Sequence, residues 1–285
     1  MIPSSFSYVR AGSVAEAIRL LQESNGEGKV IAGGHSLIPL LKFRLTTPGT
    51  LIDIGDVQEL RGIRKEGNRL VVGALTTYRQ VCSDPLVAEH LPVLAEAVRQ
   101  IGDIQVRNRG TIGGNLAHAD PAADLPGVAL ALEAMVEIQG EDGAEVMEAE
   151  SFFLGPLVTA LAETSLLTSV SFLLPPAGTR STYVKYAHPA SGYAVAGVCA
   201  LAATDPDGRI SYVRVGINGV GDLAYRARRV EEKLLGQIPT PELVDEAARL
   251  AAEDGEMGSD LFASAEYRRH LSQVYTKKAL QQVML

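Results

Sequence analysis

Two short runs in this 285-residue chain combine a glycine pair with polar side chains. The first is Ala32-Gly33-Gly34-His35-Ser36; the second is Thr111-Ile112-Gly113-Gly114-Asn115. Glycine removes the side chain where something must come close to the backbone. Backbone N–H groups in such runs can converge on an anion, and the side chains of Ser36, Thr111 and Asn115 add further hydrogen-bonding groups. Neither run is a Walker A sequence, since no Lys-Ser or Lys-Thr follows, and neither is the G-x-G-x-x-G dinucleotide fingerprint. Two such loops, one on each of two parts of the fold, can clasp a pyrophosphate between them. That chemistry points to a dinucleotide on a fold other than the Rossmann type. The same residues also suit two structural turns, and the pattern alone leaves both readings open.

Other residue types exclude chemistries. Cys82 and Cys199 stand far apart, match no metal or redox spacing, and cannot supply the four thiolates of an iron–sulfur cluster. His118 and Asp120 form a possible metal pair with no third ligand in reach, and read as loop structure, so no metal site is expected. The formal charge of −8 argues against nucleic acid. The densest basic cluster, Arg226, Arg228 and Arg229, is followed closely by two glutamates. The longest apolar stretch, residues 193–203, is too short to span a bilayer. The opening "MIPSSFSYVR" lacks the basic and apolar regions of a signal peptide, so a cytoplasmic protein is expected.

The elements that must carry the two runs can be read from periodicity. Residues 13–24 predict a helix: Ser13 caps it, Glu16 completes a capping box, Val14, Ala17, Ile18 and Leu21 share a face, and Asn25-Gly26 ends it. Short strands are expected at "KVIAG", which ends at the first glycine pair, and at "TLIDIG". Hairpins are expected about Glu66-Gly67-Asn68 and Asp142-Gly143. Helices are expected over 91–101, ahead of the second glycine loop, and at "DLPGVALALEA"; "SLLTSVSFLLPP" predicts a strand closed by Pro175-Pro176. The stretch 175–182 is the candidate boundary. Beyond it come strand-like runs at 183–187, 193–203 and 209–217, with a turn at 205–208, then helical patterns near 223–235, 240–254 and 264–283. Strands followed by helices predict an α+β unit of about a hundred residues.

The runs "AGGHSLIPLLKFRL" and "RNRGTIGGNLAHADPAADLP" resemble the FAD-binding medium subunit of molybdenum hydroxylases, the carbon monoxide dehydrogenase and xanthine dehydrogenase type. The resemblance covers essentially the whole chain, nearest to the carbon monoxide dehydrogenase branch. It implies an α+β fold: a two-subdomain FAD module of the vanillyl-alcohol-oxidase (PCMH) type over 1–177, with subdomains at about 1–55 and 56–177, then a small α+β C-terminal domain over 178–285. It implies that Ala32, Gly33, Gly34, His35 and Ser36 form one pyrophosphate loop and Thr111, Gly113, Gly114 and Asn115 lie in the other. It further implies Ile101 on the flavin side, Asp124 at the ribose or adenine end, Leu167 near the adenine, Lys185 close to the flavin ring, and Tyr193 over one face of that ring. The residues allow plainer readings: Ile101, Leu167 and Tyr193 as core packing, Asp124 as a helix cap, Lys185 as an exposed edge residue. The stretch "YAHPASGY" departs from the more basic pattern of that branch and leaves the electron acceptor open.

The function implied is electron transfer. Substrate would be oxidised on a large molybdopterin-binding subunit, electrons would cross a small [2Fe–2S] subunit, and FAD on this chain would pass them to an external acceptor. The flavin, and no side chain, would be the redox centre. Two alternatives remain at this stage: a free-standing flavin-dependent oxidase or reductase of the same fold, for which the residues after 178 look too few, and a non-redox interaction subunit that has lost FAD, against which both intact glycine motifs argue.

Overall fold

The computed structural model describes residues 1–285. The first sheet is parallel. Strands β1 (Ser7–Arg10), β2 (Gly28–Ile31) and β3 (Thr50–Asp53) lie in the order β1-β3-β2, joined by helices α1 (Val14–Glu23) and α2 (Leu37–Phe43). Parallel neighbours need a crossover, and these two helices supply it. Ser13 caps α1 by accepting from the Glu16 N–H, but the Glu16 carboxylate accepts from Gly12 N–H at 2.8 Å, so the expected capping box closes one residue early. Val14, Ala17, Ile18 and Leu21 are buried together with Ile52.

A five-stranded antiparallel sheet follows, ordered β4-β5-β10-β6-β7. Its strands are β4 (Ile63–Glu66), β5 (Arg69–Gly73), β6 (Met135–Gly140), β7 (Gly143–Glu148) and β10 (Leu166–Leu173). Both expected hairpins form, β4–β5 and β6–β7. Between β5 and β6 run six helices: α3 (Tyr78–Ser83), α4 (Pro85–His90), α5 (Pro92–Arg99), α6 (Ile104–Arg109), α7 (Ile112–His118) and α8 (Leu125–Ala131). The short elements α9 (Ala149–Phe152), β8 (Phe153–Gly155) and β9 (Val158–Thr159) precede β10.

The last sheet is ordered β11-β12-β13-β14, from β11 (Arg180–Ala187), β12 (Ala194–Thr204), β13 (Ile210–Asn218) and β14 (Tyr225–Arg226). Helices α10 (Arg228–Leu234), α11 (Pro241–Ala248) and α12 (Ala265–Met284) complete the chain. The helical pattern expected from 223 begins only at Arg228, because Tyr225–Arg226 pair with β13. Strand β12 is buried along nearly its whole length. Its two faces feed separate cores: Cys199 and Leu201 join the cluster around α5 and α8, while Val198, Ala200 and Ala202 join that of α10–α12. A strand covered on both faces has no polar side, which is why its sequence runs apolar instead of alternating.

Candidate functional site

Strand β2 delivers the first glycine run to the edge of a cavity. Gly34 has φ +77°, a left-handed conformation that glycine adopts without strain. A Cβ on Gly33 would lie 2.1 Å from the Arg109 carbonyl oxygen and 3.1 Å from Gly110 Cα. Gly33 therefore lets the first run press directly on the backbone leading into the second. Beyond it, the N–H groups of Gly33, Gly34, His35, Ser36 and Leu37 have no hydrogen-bond partner in the protein.

The second run differs from the expected loop. Thr111 is the N-cap of α7, and Gly113 and Gly114 lie within that helix. Its N–H groups are spent on the protein: Ile112 donates to Thr76 O at 3.0 Å, Gly113 to Ala74 O at 2.9 Å, Asn115 to Thr111 O at 3.0 Å, and Gly114 to Thr111 Oγ1 at 3.2 Å. Two symmetric N–H cradles are thus not what the chain builds; the first run offers free donors and the second forms a helical wall. Gly113 is needed for packing, since its Cβ would lie 2.5 Å from Ala74 Cβ. At Gly114 a Cβ would meet Thr111 Oγ1 at 2.6 Å and Ala32 Cβ at 3.9 Å, so a side chain there would enter the space between the two runs.

The cavity between them has a volume of about 1500 Å³. That exceeds the roughly 300–1,000 Å³ of ordinary small-molecule pockets and suits a long ligand. Every candidate position named from the sequence lines it except Lys185. Ile101 follows α5, Leu167 projects from β10, and Tyr193, 44% exposed, precedes β12. Asn115 carries a particular mark of a ligand. Its Nδ2 donates to Tyr78 Oη at 2.9 Å, and its Oδ1 is buried with no partner. Exchanging the two amide atoms would give Tyr78 an acceptor and turn the NH₂ outward; in either orientation one polar atom of Asn115 is left for a ligand. Such an atom costs about 1–3 kcal/mol while unpaired.

A charged pair is built into the wall, Asp124 on it and Lys185 behind it. Asp124 precedes α8 but makes no capping hydrogen bond, contrary to the plainer reading. Its Oδ1 accepts from Tyr183 Oη at 2.5 Å and its Oδ2 faces Lys185 Nζ at 3.1 Å. Burial pushes the Asp124 carboxyl up, and the Lys185 charge and the Tyr183 hydrogen bond draw it back. Lys185 is no exposed edge residue: its side chain is only 4% exposed. Among the lining residues not singled out from the sequence as cofactor contacts are Lys29, Tyr78, His118 and Asp120. The box formed by Thr77 and Gln80 was a legible helix start that places Tyr78 on α3, but nothing in it pointed to a cavity. His118, read from the sequence as loop structure with Asp120, ends α7; burial lowers its pKa, with Asp120 raising it and Lys29 lowering it. A second cavity of about 390 Å³ shares Asp120, Ser191 and Tyr193 with the first, which places these three residues between the two. No group of histidine, cysteine, aspartate and glutamate side chains is placed to hold a metal ion, and both cysteines are free. No helix is long and apolar enough to cross a membrane.

Comparison with known proteins accords with this architecture. Residues 4–175 match the family described as FAD binding domain in molybdopterin dehydrogenase, and residues 181–283 match the CO dehydrogenase flavoprotein C-terminal domain. The chain is 39% identical to the carbon monoxide dehydrogenase medium chain of Hydrogenophaga pseudoflava, over 98% of this chain and 97% of that one. It is 37% identical to the glyceraldehyde dehydrogenase medium chain of Sulfolobus acidocaldarius, over 99% of this chain and all of that one. A solved structure of the Hydrogenophaga pseudoflava carbon monoxide dehydrogenase, in a form lacking the Mo-pyranopterin moiety, superposes with a TM-score of 0.95 at 39% identity, covering 99% of this chain and 98% of that one.

Proposed function

The chain belongs to the FAD-binding medium subunits of the molybdenum hydroxylases, and from that premise we propose that it is the electron-transfer subunit of such a complex. Electrons released on a large molybdopterin-binding subunit reach it through a small [2Fe–2S] subunit and leave to an external acceptor. The observation that carries this reading is the elongated cavity, with free N–H donors at one glycine run and an unpaired buried amide atom at the other.

Bound FAD supplies the redox chemistry. The protein supplies position and electrostatics. The N–H groups of Gly33 to Leu37 donate to the pyrophosphate, with Ser36 beside them. Asn115 pairs with a polar group of the cofactor, while Thr111, Gly113 and Gly114 shape the opposite wall and leave it bare. Ile101 and Leu167 give apolar contact, Asp124 accepts from a cofactor hydroxyl or N–H, and Tyr193 shields one side of the ring from water. We divide the chain into a cofactor part at 1–177, itself split near residue 55, and a C-terminal part at 178–285 that presents Tyr193.

The substrate is set on another chain. Relatives of similar identity are named for carbon monoxide and for glyceraldehyde, so both belong in a test panel. The test is to express the chain alone and together with the products of its neighbouring genes, then assay each with that panel and an artificial acceptor. Turnover only in the complex supports the subunit reading. Substrate-dependent turnover by the chain alone would replace it with a free-standing oxidase, and a chain that is folded but colourless in both settings would leave a non-redox subunit.

A further inference from the structure

Lys185 is the one candidate position that stands behind the cavity wall instead of on it. Its ammonium donates to Gln100 O at 2.8 Å, to Gly192 O at 3.0 Å and to Asp124 Oδ2 at 3.1 Å. An ammonium has three protons and no acceptor, so these three bonds exhaust it. Each acceptor lies on a different segment, and each segment delivers a cavity residue. Gln100 immediately precedes Ile101, Gly192 immediately precedes Tyr193, and Asp124 lines the cavity itself. Gln100 also donates from Nε2 to Tyr183 O at 3.0 Å, which ties the end of α5 to the strand that carries Lys185. The loop from His188 to Tyr193 is otherwise closed on itself. His188 N–H donates to Tyr193 O, Gly192 N–H donates to His188 O, and the N–H groups of Ala190 and Ser191 donate to His188 Nδ1. Apart from the contact of the His188 ring with Phe262, Lys185 is its polar anchor to the cavity wall.

We propose that Lys185 is a positioning residue, a three-way tether that fixes Ile101, Asp124 and Tyr193 relative to one another around the cavity. The proposal rests on the FAD reading of that cavity for its purpose, but not for its geometry. No other side chain of similar length serves: methionine donates nothing, and the planar fork of arginine does not match three acceptors set around a point charge. Removing the ammonium leaves a buried carboxylate and two carbonyls short of a donor.

The test is hydrogen exchange by mass spectrometry on the full chain without FAD, for Lys185→Met, Asp124→Asn and, as a control, Lys277→Met, which breaks the exposed Lys277–Asp245 pair. Lys185→Met should speed exchange in the segments 100–103 and 188–193 by about tenfold or more, the loss expected for a charge-assisted hydrogen bond. Asp124→Asn keeps both carbonyl bonds and should leave 188–193 protected; Lys277→Met should change neither segment. With FAD added, Lys185→Met leaves the buried Asp124 carboxyl without its cation, so the flavin midpoint potential should fall below the wild-type value only at pH high enough to ionise that carboxyl. Asp124→Asn leaves a lone ammonium and should raise the potential at every pH. A lysine that only supports the fold would produce neither shift. Should Lys185→Met fail to fold, Lys185→Gln, whose amide donates two hydrogen bonds, carries the same comparison. Unchanged exchange in both segments would overturn the tether. Faster exchange in a chain whose wild type takes up no FAD would leave the tether standing and remove the FAD reading.

Discussion

Replacing Asn115 with leucine separates what the fold needs from what the cofactor needs. In the FAD-free chain the substitution has two opposing effects. It breaks the 2.9 Å hydrogen bond to Tyr78 and strands that buried hydroxyl, which costs about 1–3 kcal/mol. It also removes an amide atom that is buried and unpaired, which returns about 1–3 kcal/mol. The stability of the FAD-free chain should therefore change by no more than about 2 kcal/mol. FAD binding is another matter, because the wild-type amide gains its missing partner there and leucine does not. Affinity should fall by about 1–3 kcal/mol, or roughly 5- to 150-fold. Adding Tyr78→Phe removes the stranded hydroxyl, so the double variant should be at least as stable as the wild type without FAD and still bind FAD weakly. Urea unfolding of the FAD-stripped chains and flavin fluorescence titration measure the two quantities. An Asn115→Leu chain that loses more than about 3 kcal/mol of stability yet binds FAD within about twofold of wild type would refute the reasoning.

Five further variants have expected outcomes. Gly33→Ala places a Cβ against the immovable Arg109 carbonyl and should cost about 2 kcal/mol or more in thermal unfolding; Gly114→Ala meets only the Thr111 hydroxyl and should cost about 1 kcal/mol, one helix cap. Gly114→Val fills the space between the two runs, so a chain that remains folded should lose FAD on gel filtration. Burial holds the His118 imidazole below its usual 6.5, so its contribution to stability is full above that pH and declines as pH falls below it; His118→Gln should flatten that part of the melting profile. Tyr193→Ala should retain FAD but alter its reoxidation kinetics, read by stopped-flow absorbance.

Much of this architecture was legible in the sequence. Helix α1, both hairpins, β10 and strands β11 to β13 followed from periodicity, apolar runs and turn residues, because each has a buried face or a glycine turn. Several elements escaped. Helices α3, α4 and α6 span only six residues each, too short for a periodic stripe. Strand β1 pairs only along one edge and is largely exposed, so it carries no apolar signature. The glycine runs were visible as sites, but glycine permits both a loop and a helical wall. Only the partners of the N–H groups, Ala74, Thr76 and Thr111, decide between them, and the first two are remote in sequence. Lys185 was marked by resemblance as a ring neighbour; its place behind the wall depends on Gln100, Asp124 and Gly192 converging from three segments, which spacing cannot show.

The most direct test of the site is a crystal structure of the chain loaded with FAD. The account predicts pyrophosphate oxygens within hydrogen-bond distance of the N–H groups between Gly33 and Leu37, and a cofactor polar atom on the Asn115 amide. A pyrophosphate held instead by the helix that begins after Thr111, or a cofactor lying outside the cavity between the two glycine runs, would contradict it.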